Sequence, residues 1–286
     1  IYQWHLPITS SVIYRSIVSA RYPYFMISSI MLFTEEETNA LNEQEQNHPL
    51  AFFQDFAKTI TVFEDDDIWV VDKPAGLLSV DGKTLKVSLL ARLEKVNPNV
   101  KLIHRLDMDT SGLLIFAKNA AVQTHISKQF IERLPQKLYQ ARVFGQWQQV
   151  GDTGKISAPV RYEPTLKPRH IVDPNWPKQA LTQYEVLAHE CLNAQGTGAQ
   201  SLEHSAVTQA DQPQMVTRVA LKPITGRSHQ LRVHMVHMGH VIIGDPIYAE
   251  GSALAIAPRL NLHAQQLRLK HPVLEAWMDW ESPTPF

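Results

Sequence analysis

Regular patterning of apolar and polar positions begins near Ile60. Residues 61–63 and 68–71 read as two strands joined by an acidic turn over residues 64–67, and Lys73-Pro74-Ala75-Gly76 closes the second with turn residues. Residues 88–96 have helical spacing and stop at Asn97-Pro98. After a polar loop, residues 113–117 form an apolar, strand-like run, and residues 120–133 place Val122, Ile126 and Phe130 on one helical face. In residues 138–144, Tyr139, Ala141 and Val143 alternate with Gln140 and Arg142, the period of a half-buried strand. Residues 184–187 and 216–221 are further strands. Between them, residues 193–214 are full of Gln, Ala, Ser and Thr and predict a surface insertion in a hairpin, since lengthening a loop costs little closure entropy. Residues 230–238 fit a short helix ended by Gly239. Strands outnumber helices and follow one another without regular helical crossovers. The expected fold is therefore α+β, with a central mixed, largely antiparallel sheet, flanking helices and a cleft.

The first 60 residues carry no such pattern. Residues 35–50 are acidic, Gln- and Asn-rich and aperiodic, which predicts a solvated arm. Residues 1–34 are rich in Ile, Ser, Tyr and Arg, and two readings of them stay open: a targeting segment, or residues that precede a natural start at Met31. The expected organisation is an N-terminal extension over 1–60 and one domain over 61–286, with 193–214 as its insertion.

Charge sharpens this division. The formal net charge is −1, yet residues 35–67 hold ten acids against Lys58 alone, and beyond residue 67 there are 24 Lys and Arg against 18 Asp and Glu. That excess has the sign a polyanion binder needs, although it is also ordinary for a soluble enzyme. The single cysteine, Cys191, excludes an internal disulfide and fits a reducing compartment, with cytoplasm as the expectation. No apolar run approaches the ~20 residues that span a bilayer.

The candidate chemistry lies in His104-Arg105-Leu106-Asp107-Met108-Asp109-Thr110-Ser111-Gly112, a polar loop between two strand-like stretches. A second dense segment is Leu221-Lys222-Pro223-Ile224-Thr225-Gly226-Arg227-Ser228-His229-Gln230-Leu231-Arg232-Val233-His234. Together with Asp72-Lys73-Pro74-Ala75-Gly76-Leu77-Leu78, Gly244-Asp245-Pro246-Ile247-Tyr248-Ala249 and Leu262-His263-Ala264, these segments resemble the hallmarks of the RluA-type pseudouridine synthases over residues 61–286. The resemblance implies the pseudouridine synthase fold and an RNA isomerase. Its substrates would be uridines in stem-loops of large-subunit ribosomal RNA and in the tRNA anticodon stem-loop. An RNA-binding module of the S4 kind, carried by larger relatives, is not expected here.

By that resemblance Asp107 is the catalytic aspartate, Arg227 its guanidinium partner and Tyr139 the ring beside the uracil. Arg105 is the candidate for flipping the base out of the RNA stack. Lys73, Arg142, Arg161, Lys167, Arg169 and Arg232 are candidate contacts to the RNA backbone. Taken without the resemblance, Asp107 would be a turn residue, Arg227 a surface arginine, and Arg105 a salt-bridge partner of Asp109. His229, His234, His237 and His240 invite a metal reading, but no cysteine lies near and their spacing mixes strand and helix, so neither metal nor cofactor is expected. Asp107 with Asp109 invites a glycosidase reading; two residues apart on one loop, however, they would approach a sugar from one side instead of flanking its bond. A paralogous synthase for another RNA position, and an RNA-binding protein without turnover, are the remaining alternatives. The protein is expected to act as a monomer without an obligate protein partner, and removal of residues 1–50 to leave activity nearly intact.

Overall fold

The structure, a computed structural model, describes residues 34–192 and 213–286. The readings of residues 1–33 as a targeting segment or a pre-start stretch, and of residues 193–212 as an insertion, lie outside the described residues.

The described residues form twelve strands, of which β1, β2, β4, β5, β9 and β10 contain the six expected from sequence: β1 Thr61–Glu64, β2 Ile68–Lys73, β3 Lys101–Leu102, β4 Ser111–Ala117, β5 Gln136–Phe144, β6 Thr153–Ser157, β7 Val160–Tyr162, β8 His170–Val172, β9 Leu181–Leu192, β10 Gln214–Pro223, β11 Leu262–Lys270 and β12 Trp277–Glu281. Ten of them form one sheet with the order β1-β2-β4-β11-β5-β10-β9-β6, β12 lying beside β11 and β3 beside β4, while β7 and β8 make a separate hairpin. Within the large sheet β4 and β11 run parallel and the other pairings are antiparallel, so the sheet is mixed and largely antiparallel, with helices on its faces. Gln214, read from sequence as the end of the insertion, is already paired with Leu192.

The period of two along β4 sends alternate residues into two cores. Leu114 and Phe116 join one apolar cluster with Trp69, Val71, Tyr139 and Ala141, whereas Leu113, Ile115 and Ala117 join another with Ile68, Val70 and Leu267. Helix α4, Ala120–Ile131, covers the second face with Val122 and Ile126. The first face is covered by α3, Leu89–Val96, and by two helices at the N-terminal end, α1 Glu35–Gln46 and α2 Leu50–Ile60. Helix α5, Gln230–His237, adds Leu231 and Met235 to the same core, and a short α6 spans Gly251–Ala255.

Helices α1 and α2 correct the expectation of a solvated arm over residues 35–50, for both pack on the core of the sheet. Two local signals account for them. Thr34 and Glu37 form a capping box, each side chain bonding the other's backbone amide. Phe53, Phe56, Ala57 and Ile60 then recur at helical spacing and are all buried. The acidic stretch is tied down by Glu45, whose carboxylate receives Arg92 Nη2 of α3 at 2.7 Å, with both side chains almost wholly buried. Asn42 adds a link to the loop ahead of α3, donating to the Thr84 carbonyl at 2.9 Å and accepting from the Lys86 amide at 2.7 Å. Deleting residues 1–50 would strip α1 from this core and leave Arg92 without its carboxylate. The single change Glu45→Ala is expected to destabilise the fold by about 3 kcal/mol, because it removes the carboxylate from a buried ion pair. An unchanged urea midpoint in that variant would show that the ion pair does not anchor α1.

One sheet register matters for the site. Ala264 of β11 is the partner of Gly112 on β4 and, on its other side, of Tyr139 on β5. Gly112 has φ +112°, and a Cβ there would overlap the backbone of Ala264, so only glycine lets these two strands approach.

Candidate active site

The polar loop before β4 is pinned from below on both sides of Asp107. Ser79 accepts from the Leu106 amide at 3.1 Å and donates to the Leu106 carbonyl at 2.7 Å. The Met108 carbonyl accepts from Lys73 Nζ and from the Gly76 amide, each at 2.9 Å. With its neighbours fixed, Asp107 has little backbone freedom, and its partly exposed carboxylate faces a cleft of about 960 Å3. Tyr139, on β5, lines the same cleft with its ring largely buried. Burial, and secondarily the charge of Asp107, push its hydroxyl above the usual phenol range, so it stays protonated.

The guanidinium paired with Asp107 belongs to Arg232, not to Arg227 as expected. Arg232, 2 % exposed on α5, grips Asp245 with Nε at 2.8 Å and Nη2 at 2.6 Å, leaving Nη1 3.4 Å from Asp107 Oδ2. Asp245 is itself held by the amides of Ile247 and Tyr248 at 2.9 and 3.1 Å, and the Tyr248 ring lies 5.2 Å from the Arg232 guanidinium. Against the cost of burial, the bonds to Asp245 and the charges of Asp245, Asp107 and Asp109 keep Arg232 protonated. Arg227 sits in the loop ahead of α5, where its Nε donates to the Gln179 carbonyl at 3.2 Å, and it lines the cleft from its solvent side. The Gly244-Asp245-Pro246-Ile247-Tyr248 segment, to which the sequence reading gave no role, thus carries the anchor of the pair.

Several expected RNA contacts are committed elsewhere. Lys73 is fully buried and donates to the carbonyls of Pro74, Leu77 and Met108. Burial lowers its pKa to about 7, with the Arg259 charge adding to that fall and Asp109, Asp107 and Asp72 opposing it. It clamps the loop that carries Asp107, with its ammonium turned inward onto those carbonyls. The Arg232 just described is likewise internal. Arg142 leaves β5 on the face opposite Tyr139 and pairs with Glu190 at 2.7 Å, away from the cleft. On the β7–β8 hairpin, Arg161 is held by Asp173 at 2.6 Å and Glu163 at 2.9 Å. Lys167 is exposed near its tip and Arg169 reaches Glu250 at 3.6 Å. The hairpin nevertheless stands beside the site, for the His170 amide donates to the Tyr248 hydroxyl at 2.9 Å and its ring lies 4.6 Å from that of His229.

Arg105 is exposed at the cleft next to Asp107 and makes no ion pair among the described residues. Asp109, its rival partner from sequence, is turned inward and 6 % exposed. Burial raises its pKa, with Asp245 and Asp107 adding to the rise and Arg232 and Lys73 opposing it. Since Asp109 does not line the cleft, the paired-carboxylate geometry of a glycosidase is not formed. The four histidines diverge as well. His229 meets the Tyr248 hydroxyl at 2.8 Å, His234 sits between Thr182 and the Ala158 carbonyl, His240 bonds the Phe144 carbonyl at 3.0 Å, and His237 is exposed.

The chain resembles known proteins over most of its length. The chain is 39% identical over 227 residues to the dual-specificity RNA pseudouridine synthase RluA of Pasteurella multocida, covering 79% of this chain and 93% of that protein. With the protein of the same name from Escherichia coli K12 it shares 38% over 229 residues, or 79% and 94% of the two chains. Among solved structures, human RNA pseudouridylate synthase domain containing 1 superposes with a TM-score of 0.63 at 30% identity, over 79% of this chain and 84% of that one. Human RNA pseudouridylate synthase domain containing 4 shares the fold at a TM-score of 0.56 and 22% identity, over 83% and 94%. Residues 67–237, which run from the turn before β2 to the end of α5 and so include Asp107, Tyr139 and Arg232, match the RNA pseudouridylate synthase profile, and the chain belongs to that family of RNA-modifying isomerases.

Proposed function

We propose that this synthase isomerises uridines in two RNA stem-loops, one in large-subunit ribosomal RNA and one in the tRNA anticodon arm, with Asp107 as the catalytic residue. The observation that carries the assignment is the Asp107–Arg232 pair at the base of a cleft that also holds Tyr139. The loop bases of a stem-loop are unstacked at low cost, which suits a narrow cleft that must receive one extruded base. Arg105, exposed beside Asp107, takes the space that the base vacates. Asp107 acts on the ribose while the N1–C1′ bond breaks; the uracil turns against Tyr139, a C5–C1′ bond forms, and the C5 hydrogen leaves to solvent as N1 gains one. Atoms balance without redox or a second substrate. Arg227, Lys167 and Arg169 hold phosphates at the rim, where exposed cations can replace counterions. The enzyme works as a cytoplasmic monomer in this reading; among the described residues no helix is long and apolar enough to cross a membrane.

The test is incubation of the purified protein with anticodon and ribosomal stem-loops labelled with tritium at uridine C5. Tritium should be released from both while the strands stay intact. Free uracil would mean hydrolysis, release from neither RNA would refute the proposed substrates, and release from one alone would refute the dual specificity.

A further inference from the structure

Beyond the catalytic pocket, the same cleft runs on to a surface that no part of the reaction uses. At that end stands Trp277, the first residue of β12, with 41 % of its surface exposed. It lies outside the stretch matched by the family profile, which stops at residue 237. Two cations of the neighbouring strand β11 lie over its ring, Arg268 with its guanidinium 5.2 Å from the ring centre and Lys270 with its ammonium at 5.8 Å. Across the cleft the C-terminal end of α4 and the turn after it expose Ile131 and Leu134, 80 % and 41 % accessible, with Arg133 between them. Lys137, at the start of β5, places its ammonium 5.8 Å from the Phe130 ring and lines the same wall. The acids nearby are few and turned aside or paired: Asp279 meets Arg268 at 3.5 Å, and Glu275 meets His125 at 3.8 Å.

A partly exposed aromatic ring backed by cations of one strand, in a groove continuous with a site for RNA, has the chemistry of a stacking platform for an unpaired base. We infer that Trp277, flanked by Arg268 and Lys270, stacks a second nucleotide of the substrate loop, a neighbour of the uridine that is flipped towards Asp107. The inference rests on the proposed RNA substrate and adds a subsite to it. Stacking accepts any base, so the platform contributes affinity and orientation of the loop and not sequence discrimination. It also draws the strand along the cleft, which favours extrusion of the adjacent uridine.

The experiment is a mutant cycle between protein and RNA. Loop nucleotides flanking the target uridine are replaced one at a time by abasic residues, and kcat and KM are measured with the wild-type protein and with Trp277→Ala, Trp277→Leu and Trp277→Phe. With the wild type, one abasic position should raise KM about tenfold at unchanged kcat. Trp277→Ala and Trp277→Leu should each raise KM about tenfold with intact RNA, and should be insensitive to that abasic position. Trp277→Phe should behave nearly as the wild type. Leucine keeps apolar bulk on β12 without an aromatic face, so recovery by Trp277→Leu would overturn stacking. KM values equal to the wild type in Trp277→Ala, or effects of protein and RNA changes that simply add, would overturn the subsite as well. Sedimentation of the same variants separates another occupant: a dimer dispersed by Trp277→Ala with RNA affinity intact would assign the face to a second copy of the chain. If the wild-type protein releases no tritium from the stem-loop, it is the proposed function that fails and not the platform.

Discussion

Asp107→Asn is expected to abolish isomerisation, with a fall in kcat on the order of 10⁴-fold or more, while affinity for the stem-loop changes little. Asparagine is nearly isosteric, so the loop held at Leu106 and Met108 keeps its shape. What disappears is the charge that acts on the ribose, and that interaction matters only as the glycosidic bond breaks. In the proposed reading binding depends on cations at the rim, and these are unchanged. Single-turnover tritium release, together with filter binding across salt concentrations, measures both quantities. Turnover comparable to the wild type would remove Asp107 from its role; a matching loss of affinity would mean that the carboxylate serves binding and not chemistry.

The second large effect separates two arginines that the sequence did not. Arg232→Ala should destabilise the protein by about 3–5 kcal/mol, because it leaves the buried Asp245 carboxylate without its bidentate partner. Enough folded protein recovered at low temperature should still be inactive, since Asp107 would have lost the group that orients it. Arg232→Lys should rescue neither property well, for an ammonium cannot bridge both oxygens of Asp245 and still reach Asp107. Arg227→Ala, by contrast, should fold normally, keep kcat within a few-fold and raise KM with a shallower salt dependence, as loss of one phosphate contact does. A thermal-unfolding series with kcat and KM for these variants decides the matter. If Arg227→Ala is inactive while Arg232→Ala retains kcat, the geometric assignment of the pair is wrong.

The mistaken pairing has a physical origin. Both arginines belong to one dense motif, and spacing does not tell which points inward. On α5 the run from Gln230 to Met235 is buried on all sides, so no amphipathic stripe marked the inner face. Lys73 was misread for a related reason: lysines are seldom buried, and its three carbonyl partners come from segments that only the fold brings together. Strands with a clean period of two, such as β5 with Tyr139, Ala141 and Val143 inward, were legible, as was the mixed, mainly antiparallel architecture. The parallel contact of β4 with β11 joins residues far apart in sequence and left no local mark. Helices α1 and α2 did leave one, in the Thr34–Glu37 box and the spacing of Phe53, Phe56, Ala57 and Ile60. There the strongly acidic composition outweighed a pattern that was present.

Ala264 stands in register with Gly112 on one side and Tyr139 on the other. The calibre of the catalytic slot is therefore set by main chain: two inter-strand steps of about 4.8 Å separate the strand that the acid loop feeds from the strand that bears the ring. In the proposed reading a uracil is gauged against this fixed ladder, and rotamer changes in the walls leave the spacing of the strands as it is. Because the first step closes only over a residue without a side chain, the enzyme has no gradual route to a larger base. Any adjustment at that rung would part the strands altogether, so under the proposed function discrimination among RNAs would fall to the rim, where loops and exposed cations can change without disturbing the gauge.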